Sequence, residues 1–203
     1  MDFDPKLEIM FRTYQQNNMS KLEDKIIWTI GHSTKTLDEF IGNLKTFDIK
    51  LIVDVRSLPG SSKFPQFNKE NLMVSLKENE INYIHISKLG GRRKVNKDSK
   101  NTAWQHTAFR GYADYMETED FKIGVDELIL VAGNNRTAIM CAEVLWWRCH
   151  RSLIADYLKL NEWKVIHILS NHKTEEHPFT QPSKIKNGKL DYSSEELSEN
   201  KTL

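Results

Sequence analysis

The chain has 203 residues, 39% of them hydrophobic, and its 29 basic and 28 acidic residues give a formal charge of +1. That size suits one domain with extensions, and the balance excludes a polybasic coat protein while leaving room for a local basic groove. No run approaches the roughly 20 apolar residues that span a bilayer, and the opening Met1-Asp-Phe-Asp-Pro-Lys6 lacks the basic and apolar regions of a secretory signal. We therefore expect a cytoplasmic protein with no membrane partner, whose two cysteines, Cys141 and Cys149, are reduced thiols.

Residues 1–24 read as an N-terminal extension ahead of a single domain, 25–193. Lys25–Ile30 is a short apolar strand ending in Gly31-His32-Ser33. Thr36 and Glu39 have capping-box spacing, and Leu37, Phe40, Ile41, Leu44 and Phe47 recur at helical intervals. Lys50–Arg56 is a second strand. Pro59, Gly60 and Pro65 punctuate a loop, and Asn68 is placed to cap a helix running to about Glu78. Ile81–Ile86 is a third strand and runs into Leu89-Gly90-Gly91-Arg92-Arg93. Helices are predicted near His106–Met116 and Asp120–Ala132, a fourth strand over Thr137–Cys141, a helix from about Cys149 to Asn161, and a fifth strand over Lys164–Leu169. Residues 171–203 are polar, and 194–203 read as a disordered tail.

Strand and helix alternate throughout, and the strands are continuously apolar. This predicts an α/β fold, Rossmann-like, with a mainly parallel sheet of about five strands covered by helices on both faces.

In such a sheet the carboxyl ends of the strands share one edge, where ligands bind. That edge would collect His32, Asp54, Arg56, Ser57, Gly90, Gly91, Arg92, Arg93, Cys141 and Glu143. Cys149-His150-Arg151 follows, so two thiols, a carboxylate, an imidazole and a guanidinium fall within the eleven residues 141–151. Asp54, Glu143, Cys141 and His32 are the candidate catalytic residues. Either carboxylate could serve as general acid/base, although Asp54 and Arg56 could equally form a structural ion pair. Arg56, Arg92 and Arg93 suit phosphate, because guanidinium forks match its oxygens. Ser57, Gly90, Gly91, Cys149, His150, Arg151 and Trp146 complete the candidate binding set. A thiol at a helix start beside His150 and Arg151 is a possible nucleophile. Cys141, Cys149 and one histidine are types that would also suit a metal, but neither a CxxC pair nor an HExxH helix is present, so spacing predicts no metal and no cofactor.

Several motifs resemble the domain-of-unknown-function family 488 (DUF488). They are Thr29-Ile-Gly-His-Ser33, Val53-Asp-Val-Arg-Ser57, Pro65-Gln-Phe-Asn-Lys69, Leu89-Gly-Gly-Arg-Arg-Lys94, Phe109-Arg-Gly-Tyr-Ala-Asp-Tyr-Met116, Met140-Cys-Ala-Glu143 and Cys149-His-Arg151. The late segments His177-Pro-Phe-Thr180 and Gly188-Lys-Leu-Asp-Tyr192 resemble the family's longer members. The resemblance spans about residues 27–193 and implies an α/β sandwich with a cleft at the motif-bearing edge. It also implies that part of the polar tail is ordered. The pattern implies an arginine soon after Pro59; this chain has Lys63, which supplies charge but no planar fork.

The expected function is an enzyme, a hydrolase or transferase, cleaving or transferring a base–sugar or phosphate bond of a nucleotide or nucleic acid. Thiol or sulfur-transfer chemistry on Cys141 or Cys149, and a non-catalytic nucleic-acid-binding module, are the alternatives.

Overall fold

A computed structural model describes residues 25–194. The expected extension at 1–24, and the expected tail beyond Ser194, lie outside the described residues. Six strands form one sheet: β1 (Ile26–Gly31), β2 (Leu51–Asp54), β3 (Asn82–His85), β4 (Thr137–Cys141), β5 (Lys164–Ser170) and β6 (Lys173–Glu176), in the order β3-β2-β4-β1-β5-β6. All neighbours are parallel except β5 and β6. A separate hairpin pairs β7 (Lys184–Lys186) with β8 (Lys189–Asp191). The mainly parallel α/β architecture is as expected, while the polar segment after β5 supplies the additional antiparallel edge strand. Its Lys, Thr and Glu side chains suit an edge facing solvent.

The helices are α1 (Leu37–Thr46), α2 (Lys69–Glu78), α3 (Thr107–Met116), α4 (Glu119–Ala132) and α5 (Arg151–Leu160). Successive strand residues face opposite sides of the sheet, so the sheet has two apolar layers. Trp28, Ile30, Ile52 and Met140 pack with Phe40 and Leu44 of α1 and Leu72 and Leu76 of α2. Ile27, Val53, Ile139 and Val165 pack with Tyr112, Phe121, Val125, Leu153 and Leu158 of α3–α5. Burying one such side chain contributes about 1.5–3 kcal/mol.

Local chemistry fixes the helix ends. Thr36 Oγ1 accepts from Glu39 N at 3.1 Å and the Glu39 carboxylate accepts from Thr36 N at 2.8 Å, which completes the capping box. Two expectations need correction. Asn68 stands at the α2 N-cap but makes no side-chain cap; its Oδ1 instead accepts from Ser61 N at 2.5 Å and closes the 61–68 loop. Cys149 does not begin a helix: its backbone is extended, His150 is the N-cap, and α5 starts at Arg151. The thiol therefore lies in the β4–α5 crossover rather than on the helix's first turn.

That crossover lies directly over β1. A β-carbon on Gly31 would sit 2.0 Å from the Glu143 carbonyl oxygen, so glycine is what lets the 143–144 backbone pass.

Beyond β5 the chain docks through a buried polar chain. Asp156 accepts from His177 Nε2–H at 3.0 Å, Thr180 N at 2.8 Å, Thr180 Oγ1 at 2.5 Å and the Tyr192 hydroxyl at 2.8 Å. A carboxylate can only accept, so His177 Nδ1 accepts from His167 Nε2–H at 3.0 Å, and His167 Nδ1 accepts from Thr29 Oγ1–H at 2.7 Å. Thr29 Oγ1 in turn accepts from Arg151 Nη1 at 3.5 Å.

Candidate functional site

The carboxyl ends of β1, β2 and β4, the loops after β2 and β3, and the start of α3 enclose a cavity of about 930 Å3. His32, Arg56, Ser57, Gly91, Arg92, Cys141, Glu143, Cys149 and His150 line it, so the topology gathers nine of the fourteen sequence-predicted residues.

Asp54 lies below the cavity, fully buried. Arg56 Nε lies 3.0 Å from each of its oxygens and Arg56 Nη2 donates to Oδ2 at 2.6 Å. Arg56 N and the Tyr83 hydroxyl add donors at 2.9 and 2.7 Å. With both oxygens engaged, Asp54 anchors the guanidinium; it is not a cavity-facing base. The remaining Arg56 nitrogen, Nη1, lies 3.4 Å from His32 Nε2. The His32 ring stacks on Phe67 at 4.2 Å, and its Nδ1–H donates to Ser33 O at 3.1 Å. Burial, and then the Arg56 charge, lower the His32 pKa to about 4. His32 is therefore neutral at pH 7.

Arg92 and Arg93 point to different environments. Arg92 is exposed at the rim, in a left-handed conformation (φ 60°). Arg93 stacks over Tyr115 at 3.6 Å and donates from Nε to Gly90 O at 2.9 Å and from Nη2 to Lys88 O at 3.1 Å. It braces the turn outside the cavity. Gly90 is buried against Ser57, and Ser57 Oγ donates to Gly91 O at 2.7 Å.

Trp146 is likewise turned away. It stacks on His167 at 4.3 Å and donates from Nε1 to Glu175 at 3.1 Å. Arg151 is 1% exposed. It donates to the Glu143 carbonyl, to Val144 O at 3.4 Å, and from Nε to Cys149 Sγ at 3.4 Å. It thus supports the crossover from below and does not reach the cavity. Glu143 is exposed and accepts from Leu145 N at 3.1 Å.

Cys141 and Cys149 form the apolar floor. Burial alone would raise the Cys149 pKa, but a hydrogen bond from Cys141, then the neighbouring His150 and Arg151, hold it well below the usual thiol value. Cys141 moves the opposite way, first through its hydrogen bond to Cys149 and then through burial. His150 Nε2–H donates to Val55 O at 3.0 Å, which selects the neutral tautomer whose bare nitrogen is Nδ1, 3.7 Å from Cys149 Sγ. One donor atom from each of Cys141, Cys149 and His150 lies within 4.8 Å of the others. The residue types admit this ligand set, but the spacing argued against it, because the crossover, not a short motif, assembles it.

Further lining residues lie outside the predicted site set: Ser33, Lys63, Phe64, His106, Phe109, Tyr112 and Arg148 all reach the cavity. Ser33 was visible at the end of the first strand, and Phe109 and Tyr112 as aromatics able to stack on a base. Lys63 was visible as the residue replacing an expected arginine, and Arg148 as the neighbour of Cys149. His106 and Phe64 carried no distinguishing local signal.

Among the described residues that line the cavity, Glu143 is the sole carboxylate, beside Arg56, Lys63, Arg92 and Arg148. The cavity therefore favours an anionic ligand. None of the helices in the described residues is long and apolar enough to cross a membrane. No curated protein and no solved structure matches the chain. Residues 36–158 match the family model described as Domain of unknown function DUF488, and the chain belongs to that family.

Proposed function

We propose that this protein is an enzyme that binds a nucleotide, or the end of a nucleic acid, and cleaves or transfers its base–sugar or phosphate bond. The observation that carries the reading is the pairing of four cavity-lining cations with one exposed carboxylate. Arg56 is oriented before any ligand arrives, because Asp54 holds it from below. Arg92, Arg148 and Lys63 extend the positive surface to the rim, where a phosphate would be drawn in. Phe64 and Phe109 offer apolar surface to a base. Glu143 is the general acid/base: it is exposed and lines the cavity, whereas both oxygens of Asp54 are occupied.

One observation favours a second reading. The Cys149 thiol, the bare His150 Nδ1 and the Val55 carbonyl that orients the ring have the order of a nucleophile, base and orienting group. Thiol transfer chemistry would use that pair.

The test is turnover on a panel of nucleosides, nucleotides and short oligonucleotides, with products followed by mass spectrometry. The nucleotide reading expects turnover in the native chain and its loss in Glu143→Gln. Full activity in Glu143→Gln with a dead Cys149→Ser would move the assignment to thiol chemistry. Binding without turnover on the whole panel would make the protein a binding module.

A further inference from the structure

We propose that Cys141, Cys149 and His150 form a three-ligand site for one zinc-class cation at the cavity floor, with the fourth coordination position open to the cavity. The inference rests on donor geometry and does not depend on the nucleotide reading.

Tetrahedral zinc takes sulfur ligands at about 2.3 Å and imidazole nitrogen at about 2.0–2.1 Å, so its ligand atoms lie about 3.3–3.8 Å apart. Cys149 Sγ and His150 Nδ1 are already 3.7 Å apart, and all three donor atoms fit within 4.8 Å. Small side-chain rotations would close the remaining gap. A Cys2His set with an open position is a known arrangement for catalytic zinc.

The surroundings prepare each ligand. Val55 O fixes the His150 tautomer, so the nitrogen facing the sulfurs carries a lone pair rather than a proton. Such an outer hydrogen bond is the usual partner of a metal-bound histidine. Gly91 lies opposite that nitrogen; a β-carbon there would come within 2.8 Å of Nδ1. Glycine keeps the lone pair uncovered. Arg151 Nε donates to Cys149 Sγ at 3.4 Å, an N–H···S contact that supports a ligating thiolate.

Charge selects the ion. Two thiolates cancel a divalent charge and the imidazole is neutral, so the filled first shell adds no net charge beside buried Arg151. Two sulfurs and one imidazole nitrogen favour zinc over the hard, oxygen-seeking magnesium and calcium. All three ligands line the cavity, so the open position faces it. Glu143 lies two residues beyond Cys141 and lines the same cavity, where it could accept a proton from a metal-bound water.

The test uses the full chain, reduced and freed of metal by a chelator, then titrated with Zn2+ and with Co2+ as a spectroscopic probe. We expect one Zn2+ per chain, the visible bands of tetrahedral Co2+, and a thiolate-to-cobalt charge-transfer band. Zn2+ should protect both thiols from alkylation, while Mg2+ and Ca2+ should not. Cys141→Ser and Cys149→Ser should each lower Zn2+ affinity by at least ~100-fold, more than an outer-shell change. Glu143→Gln should retain one Zn2+ per chain even if turnover is lost, which separates this inference from the nucleotide reading. Thiol protection is read on the native chain, so a poorly folded serine variant leaves the test intact. Failure of the native chain to bind stoichiometric Zn2+, a cobalt spectrum without the thiolate band, or thiols that alkylate equally fast with and without Zn2+ would each overturn the site.

Discussion

Asp54 grips Arg56 through both carboxylate oxygens, with three nitrogen–oxygen approaches of 2.6–3.0 Å between the two side chains. This contact separates the two carboxylates that the sequence leaves equivalent. One supports a cation and the other remains available to a ligand.

Asp54→Asn should therefore be a stability variant. Removing the charge strands a guanidinium that is 5% exposed, and breaking a buried pair costs about 3–5 kcal/mol. Glu143→Gln, at an exposed position, should shift stability by less than about 0.5 kcal/mol. It should lower turnover about 100- to 10,000-fold. Denaturant unfolding and single-turnover rates of both variants provide the check. Equal stability losses would remove the distinction.

Adjacent arginines should behave differently. Arg92→Ala should weaken binding of a phosphate-bearing ligand and flatten its salt dependence, with little effect on unfolding. Arg93→Ala should leave affinity nearly unchanged and destabilise the chain by about 1–2 kcal/mol, because it loses the Tyr115 stacking and the bonds to Gly90 and Lys88. Titrations at two salt concentrations, beside thermal melts, read both effects. Loss of affinity in Arg93→Ala alone would reverse the assignment.

His167 predicts a pH-dependent contribution to stability. Burial first, then the neighbouring His177 and Arg151, lower its pKa from 6.5 to about 2. Between those values the unfolded chain binds a proton that the native chain does not. Stability is therefore lost as pH falls below 6.5, at about 1.4 kcal/mol per pH unit. The loss between pH 7 and 5 should be about 2 kcal/mol smaller in His167→Gln than in the native chain. Urea unfolding at both pH values measures it, and identical losses would show that His167 is not the titrating group.

Gly31→Ala should disturb the crossover. Its β-carbon would meet the Glu143 carbonyl at 2.0 Å, so backbone has to move. Overpacking of this kind typically costs about 1–3 kcal/mol. Faster proteolysis within residues 142–148 than in the native chain would show that the crossover has lifted. An unchanged cleavage pattern with unchanged stability would contradict the contact.

Much of this arrangement is legible from local signals. Thr137–Cys141 reads as a buried strand because it is short and nearly all apolar, and the structure gives it those same bounds. Thr36 and Glu39 announce α1 through a bond pattern confined to four residues. The shared carboxyl edge follows from parallel strands alone, which is why His32, Arg56, Cys141 and Glu143 could be placed together. Side-chain direction was less accessible. Arg92 and Arg93 are neighbours in sequence, yet Tyr115, which holds Arg93, is distant from them in the chain. Trp146 could not be assigned without knowing that His167 and Glu175 would meet it. The polar β6 strand carries no apolar signal because it closes an edge rather than a core.

The hydrogen-bond chain from Arg151 to Asp156 has one further consequence. A positive group beneath the crossover and a negative group in α5 are joined through Thr29, His167 and His177, each bond running the same way. The four donors to Asp156 described above all come from residues 177–192, beyond the family-matched 36–158. Electrical balance under the crossover is thus completed by a part of the chain far from it in sequence. A fragment trimmed to the matched residues would keep Arg151 and Asp156 but lose the wiring between them, together with β1 and β5 on either side of it.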